Sequence, residues 1–305
     1  MPEVRIALVT TQPRPEINMD RDMPMLLASL NKEGAEASSV NWDNEEVEWE
    51  AFDLVVLRST WDYTWRSVDF LDWVDSCSHV TNLRNPPSVV RWSSDKHYLA
   101  RLADAGVPVV ATTYAAPNTE PALPSQHAFV VKPAVGAGAR YAARYQPSDQ
   151  ATALSHIHRM HSEGLTAMVQ PYMSRIDSSG ERALVFFDGK FLHAIRKNAV
   201  LAPGVPYDQR KVAHPGLEPW VPTQSELDVA RSALAVVPDA QDLFYARVDL
   251  VDDDAGRPTV MELELVEPNL FLAVQPDSLP VVSRAIVEKA RQVRRTRKHQ
   301  VVEPI

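Results

Sequence analysis

The stretch "VDLVDDDAGRPTVMELELVEPN", residues 248 to 269, constrains the fold more than any other part of the chain. Two alternating arms flank an acidic turn that ends at Gly256, the pattern of a β-hairpin. Side chains two apart on a strand share a face, so Glu262 and Glu264 lie together while Leu263 and Leu265 turn to a core. Asp249, on the other arm, brings a third carboxylate to the pair. Three acids on one face repel one another unless a cation joins them, and magnesium takes hard oxygen ligands of this kind.

A second stretch says what such an ion would accompany. "FVVKPAVGAGARYAAR", residues 129 to 144, runs an apolar strand into Lys132 and then into Gly136, Ala137, Gly138, Ala139 and Arg140. Small residues let a backbone lie close against a ligand, and the flanking cations ask for a negative one, such as a nucleotide phosphate. Lys96 falls near the start of a predicted helix capped by Ser94 or Asp95. A cation there is unfavourable on dipole grounds, so its ammonium is aimed at an acceptor, in company with Lys132.

Common phosphate fingerprints are absent. The next glycine after Gly138 is Gly164, so there is no G-x-G-x-x-G, and no glycine precedes Lys-Ser or Lys-Thr. There is no G-x-S-x-G elbow, and the histidines of "HIHRMH", at 156, 158 and 161, spread round a helix instead of forming a zinc set. The formal charge of −9 opposes sequence-independent attraction to nucleic acid. Cys77 is the sole cysteine, which excludes an internal disulfide and fits a reducing compartment. Without a basic N-terminal leader or a run of about 18 apolar residues, the chain reads as cytoplasmic and without a membrane partner.

The 305 residues suffice for two or three packed units. Apolar runs at 4–10 and 53–59, with helical spacing in "PMLLASLNKEG" between them, predict a doubly wound parallel sheet. Ligands of such sheets lie beyond the carboxyl ends of the strands, so Arg58 suits a substrate carboxylate, while Asp62 and Tyr63 suit an ammonium group and a pocket wall. From about residue 109 short strands follow in a run, and the Asp188-Gly189 turn between two alternating arms predicts another hairpin. The fold class is therefore α/β plus α+β. The divisions fall at 1–92, 93–170, 171–290 and a basic tail, 291–305.

Taken in order, these pieces resemble the ATP-grasp superfamily of carboxylate-amine ligases, over residues 85 to 275. The resemblance implies an N-terminal doubly wound domain and two ATP-binding lobes on antiparallel sheets, with ATP and Mg2+ as cofactors. Lys96 and Lys132 would be the nucleotide-binding lysines, and residues 136–139 the lid over the phosphates. Gln170, Pro171 and Tyr172 of "VQPYM" would meet the adenine, with Glu181 at the ribose and Arg182 near phosphate or substrate. Arg196 would steady the transferred phosphoryl group together with Lys132, and Asp249, Glu262 and Glu264 would hold the metal. Glu267 and Asn269 would face the substrate. The sequence departs from the family at Glu264, where asparagine is usual, and at Pro171, where many members carry an acid.

"LRSTWDYTWR" and "MELELVEPNLFL" are most similar to ring-closing members of the superfamily, for which O-ureido-serine would give cycloserine. Joining two separate amino-acid-like molecules, or holding a nucleotide without turnover, are the other readings that the residues allow. The partner implied is a small amino-acid-like molecule, and a homodimer is left open.

Overall fold

A computed structural model of the chain describes residues 3–14, 20–209 and 216–302. The first unit contains β1 (Val4–Thr10), α1 (Met23–Lys32), β2 (Ala35–Asn41), β3 (Leu54–Ser59), α2 (Ser67–Val80) and β4 (Leu83–Arg84). Its strands are all parallel, in the order β2-β1-β3-β4. Ile6, Leu8, Leu54 and Leu57 are wholly buried. Both faces of the central strands are covered, which is why their sequences are apolar throughout instead of alternating.

Two short helices, α3 (Pro87–Ser93) and α4 (Tyr98–Asp104), lead into a small antiparallel lobe. The lobe contains β5 (Thr113–Ala115), β6 (Phe129–Pro133), β7 (Ala143–Tyr145), α5 (Gln150–Ser162) and β8 (Ala167–Pro171), with strand order β5-β8-β6-β7. Ala153, Ile157 and Met160, at helical spacing on α5, join the core formed by Phe129, Val131 and Val169.

The large lobe follows a short helix, α6 (Ile176–Ser179). It comprises β9 (Glu181–Phe187), β10 (Lys190–Lys197), β11 (Leu217–Trp220), α7 (Gln224–Ala235), β12 (Tyr245–Asp252) and β13 (Pro258–Glu264). Its sheet is antiparallel, in the order β11-β10-β9-β12-β13. Asp188 and Gly189 both adopt positive φ, 49° and 72°, in the two-residue turn between β9 and β10. Helix α7 opens on a capping box, in which the Thr223 hydroxyl accepts from the Glu226 amide and the Glu226 carboxylate accepts from the Thr223 amide. Ala230 and Ala233 of α7 share a core with Leu184, Val248 and Leu263, and with Leu99 and Leu102 of α4.

The last helix, α8 (Leu279–Val302), returns to the first unit. Val282, Ile286, Val287 and Ala290 pack into the same core as β1 and α1. The basic run expected as a tail from residue 291 is thus a continuation of this helix, and positions 303–305 lie outside the described residues. Arg291 donates to the Glu33 carbonyl at 3.1 Å and Arg297 to the Val80 carbonyl at 3.1 Å. These carbonyls lie at the carboxyl ends of α1 and α2, where a helix leaves acceptors unpaired. Among the described residues no helix is long and apolar enough to cross a membrane.

Asn85, wholly buried, fastens the first unit to the large lobe. Its amide nitrogen donates to the Tyr245 and Leu265 carbonyls at 2.8 Å each, and its oxygen accepts from the Phe244 amide at 2.7 Å. Truncation would leave these three backbone groups buried without partners. Asn85→Ala is therefore expected to lower stability by about 3 kcal/mol, read as a shift of the urea midpoint at constant m-value. A midpoint unchanged from the parent would contradict this role.

Candidate active site

The two antiparallel sheets line a cleft between them. Its floor comes from the large lobe. Across the β12–β13 pair Asp249 faces Glu262 and Arg247 faces Glu264, while Val248 and Leu263 oppose each other on the core side. The register shifts after Asp249, so Met261 has no opposite residue and lines the cleft as well.

Charge on this floor is tightly interlocked. Arg247 grips both oxygens of Asp249, Nε to Oδ1 and Nη2 to Oδ2, at 2.8 Å each, and also pairs with Glu264. Lys197, from β10, donates to Asp249 Oδ2 at 2.7 Å and pairs with Glu181. Burial opposes charge on Asp249, but Arg247 and Lys197 overcome it and hold this carboxyl well below the usual carboxylate range. For Glu181 burial prevails, reinforced by Asp249 and opposed by Lys197, and pushes the carboxyl up to about 8. Burial also raises Glu264 against the pull of Arg247.

Lys96 and Lys132 approach the same floor from the other side. Lys96 precedes α4, in the turn after α3, and its Nζ donates to the Gly136 carbonyl at 2.6 Å and lies 3.2 Å from Glu262 Oε1. Burial counts against charge on Glu262, yet Lys96 and Lys132 lower its pKa. The Lys132 side chain lines the cleft, and its ammonium makes no hydrogen bond or ion pair with any described residue. Burial draws its ammonium below the ordinary lysine range, with Glu262 opposing. A desolvated cation with no protein partner favours an anionic ligand.

The small-residue loop lines the same cleft as Lys132. A side chain on Gly136 would put its Cβ 2.9 Å from Pro133 Cγ, and Gly138 and Ala139 adopt positive φ of 61° and 59°. Gly136, Ala137, Gly138 and Ala139 all line the cleft, and so do Gln170, Pro171, Tyr172 and Glu181. The Tyr172 amide, however, donates to the Ala128 carbonyl at 2.8 Å, and the Gln170 side chain is tied to Thr112 at 2.8 Å. The Tyr172 N–H and the Gln170 side-chain nitrogen thus donate within the protein, and the following residue, Met173, also faces the cleft.

Other expected residues lie elsewhere. Arg196 is outside the cleft, its guanidinium donating to the Ser179 and Ser178 carbonyls at 2.9 and 3.0 Å and pairing with Glu218. The cause is a register shift in β10 between Phe191 and His193, which sets Lys197 opposite Glu181 and Arg196 opposite Arg182. An unshifted two-residue hairpin would oppose Arg196 to Glu181; one extra residue exchanges the two faces. Arg182 is buried on the far face, held by Glu226, Asp252 and the Gly180 carbonyl. Asp62 is also consumed within the fold, by Trp42 Nε1 at 2.9 Å and by Arg66. Tyr63 packs against Phe70 in the first core.

Arg58 is buried beyond the cleft and donates to the Pro268 carbonyl at 3.0 Å. The Asn269 carbonyl accepts from Arg247 at 3.3 Å, and the Glu267 carbonyl accepts from Trp61 at 3.3 Å. Residues 267–269 therefore link the cleft floor to the first unit through their backbone. Arg247 and Lys197 went unnoticed in the sequence, although Arg247 stands two residues before Asp249 and so must share its face. Among the described residues no three acids, histidines or thiols are gathered into a preformed metal site. Asp249 spends both oxygens on cations, whereas Glu262 and Glu264 each keep one oxygen that no described cation takes.

Comparison with known proteins agrees with this architecture. Residues 6–85 match the family model described as D-cycloserine synthetase DcsG, N-terminal domain. The cycloserine biosynthesis protein DcsG of Streptomyces lavendulae is 36% identical over 301 residues, covering 94% of this chain and 99% of that protein. A crystal structure of D-cycloserine synthetase DcsG superposes with a TM-score of 0.84 at 36% identity, over 94% of this chain and 99% of the other. The D-alanine–D-alanine ligase of Bacillus anthracis complexed with ATP shares the fold, with a TM-score of 0.68 at 17% identity over 96% and 99% of the two chains. By likeness over nearly its whole length, the chain belongs to the D-cycloserine synthetase DcsG family, within the ATP-grasp superfamily of ATP-dependent ligases.

Proposed function

We propose that this ligase uses magnesium-bound ATP to close a ring within one molecule, O-ureido-serine giving cycloserine. The observation that carries the reading is the cleft itself, where Lys132 has no protein partner and stands opposite Glu262, beside Lys96. The likeness to DcsG supports the choice of substrate.

Counting ring atoms identifies the group that must be activated. The isoxazolidinone ring holds the oxygen and nitrogen of the substrate's N–O bond, two carbons of the serine skeleton and one carbonyl carbon. That carbonyl comes from the α-carboxylate. The carboxylate oxygen therefore receives the γ-phosphoryl group of ATP, and the ureido nitrogen next to oxygen attacks the resulting acyl carbon. Phosphate leaves, the attacking nitrogen gives up its proton, and the carbamoyl group is lost to water.

Two anions must approach each other in the first step, so catalysis rests on charge neutralisation and positioning. Lys96 and Lys132 supply positive charge to the phosphates, while Arg247 and Lys197, fixed by Asp249, present it at the floor. Glu262 and Glu264 would hold magnesium through their free oxygens, in the common mode of one or two carboxylates plus phosphate oxygens. When bound, magnesium supplies further neutralisation of the polyphosphate. Asp249 instead anchors Arg247 and Lys197. No residue needs to form a covalent intermediate.

With O-ureido-serine as the only organic substrate besides ATP, phosphate release is expected. Glu262→Gln is expected to lower kcat/KM by roughly a hundred-fold or more. A requirement for a second amino acid or amine would contradict ring closure and favour joining of two molecules.

The raised Glu181 carboxyl has its own signature. Because its folded pKa of about 8 lies above the ordinary glutamate value of 4.5, the folded state holds the proton more tightly than the unfolded state. The stability contributed is complete below the ordinary value and is lost as pH rises through about 8. The Tm of the parent is therefore expected to fall relative to that of Glu181→Gln between pH 5 and pH 9, and parallel curves would contradict the shift.

A further inference from the structure

Beyond the cleft, at the carboxyl ends of β1 and β3, lies a polar cluster that the chemistry above does not use. Among the described residues twelve buried side-chain polar atoms have no hydrogen-bond partner, and six of them are here: Thr11 Oγ1, Asp20 Oδ2, Asp22 Oδ2, Arg58 Nε, Arg58 Nη2 and Thr60 Oγ1. Each such atom forgoes the hydrogen bonds it would make in water, so a concentration of them at one end of a sheet asks for a reason. The cluster is held together by the fold. Thr11 donates its amide to the Ser59 carbonyl at 3.2 Å, and Asp22 Oδ1 accepts from the Ala273 amide at 3.2 Å.

Arg58 is 1% exposed, and only its Nη1 is satisfied, by the Pro268 carbonyl. Nε and Nη2 form one edge of the guanidinium, and both of their donors remain free. Asp20 Oδ2 and Asp22 Oδ2 stand 3.6 and 4.0 Å from Nη2, near enough for attraction but too far for a hydrogen bond. One cation and two carboxylates thus leave a donor edge beside two acceptor oxygens. The neighbouring carbonyl, that of Asn269, bonds Arg247 of the cleft floor. Two successive carbonyls therefore join this cluster to the site of phosphoryl transfer.

We propose that Arg58, Asp20 and Asp22 form the receptor for the substrate groups other than the carboxylate that is phosphorylated, Arg58 donating to the carbamoyl oxygen and the aspartates accepting from the α-ammonium group. This rests on the ring-closing reading, in which the carboxylate is the reacting group and must lie in the cleft. Arg58, expected from the sequence to meet that carboxylate, then meets the other acceptor oxygen of the molecule. The cluster's excess of one negative charge suits the ammonium. Thr11 and Thr60 add hydroxyls at the same strand ends, where doubly wound sheets bind ligands.

Calorimetric titration without nucleotide separates this binding from turnover. The probes are both enantiomers of O-ureido-serine, its deaminated analogue, its aminooxy analogue lacking the carbamoyl group, and its methyl ester. Against the parent protein, the deaminated and aminooxy analogues are each expected to bind roughly ten-fold more weakly than O-ureido-serine. Asp22→Asn should abolish the deamination penalty, and Arg58→Lys the carbamoyl penalty. Neither should alter the penalty for the ester or the affinity for an ATP analogue, which also reports that the cleft is folded. Should Arg58→Lys fail to fold, Asp20→Asn and the parent series decide.

Penalties that persist in the variants, or an ester penalty that disappears in Arg58→Lys, would overturn the proposal, the latter by giving Arg58 the carboxylate. Absence of O-ureido-serine binding would also overturn it. Binding with the expected pattern but no phosphate release would leave the receptor standing and remove only the ring-closing reading.

Discussion

Asp249, gripped by Arg247 along both oxygens and by Lys197 from the next hairpin, is the contact on which the cleft depends. A carboxylate buried this deeply is tolerated only with cations at hydrogen-bonding distance, and removing one partner from such a set leaves an uncompensated charge. The arrangement also directs the remaining charges. With Asp249 saturated, Glu262 and Glu264 are the acids with oxygens to spare, and Lys132 is left facing the cleft without a partner. The cleft thus presents an ammonium without a hydrogen-bonding partner beside carboxylates that have oxygens to spare.

Alternation along β12 and β13 gives this electrostatics its shape. The same two strands supply Val248 and Leu263 to the core and four charged side chains to the cleft, so packing and chemistry are fixed by one register. Beyond β13, residues 267–273 carry the connection onward to Trp61, Arg58, Arg247 and Asp22. Asn85 and α8 join the first unit to the rest by separate routes, the one through backbone hydrogen bonds and the other by helical packing.

Much of this was legible because periodicity of two is a local property. The hairpin of 248–264, the Asp188-Gly189 turn, the continuous apolar runs of β1 and β3, and the run from Lys132 into small residues all follow from near neighbours in sequence. Arg196 and Arg182 were not legible, since a shift near Leu192 in β10 exchanges faces and nothing in "GKFLHAIRK" announces it. Asp62 misled for another reason: its partners Trp42 and Arg66 can be assigned only once the chain is folded. The same holds for the basic run after 290, whose arginines meet carbonyls at the ends of distant helices. Arg247 needed only the rule already applied to Glu262 and Glu264.

The central claim is that Lys132 and its neighbours form a polyphosphate site, with Arg196 lying outside it. Its most direct measurement is calorimetric binding of a non-hydrolysable ATP analogue with magnesium to the parent, Lys132→Ala and Arg196→Ala proteins. Loss of the charged contact should weaken binding roughly ten- to a hundred-fold in the first variant and leave the second at the parent's affinity. Equal affinity in Lys132→Ala and the parent, or a comparable loss in Arg196→Ala, would contradict the account.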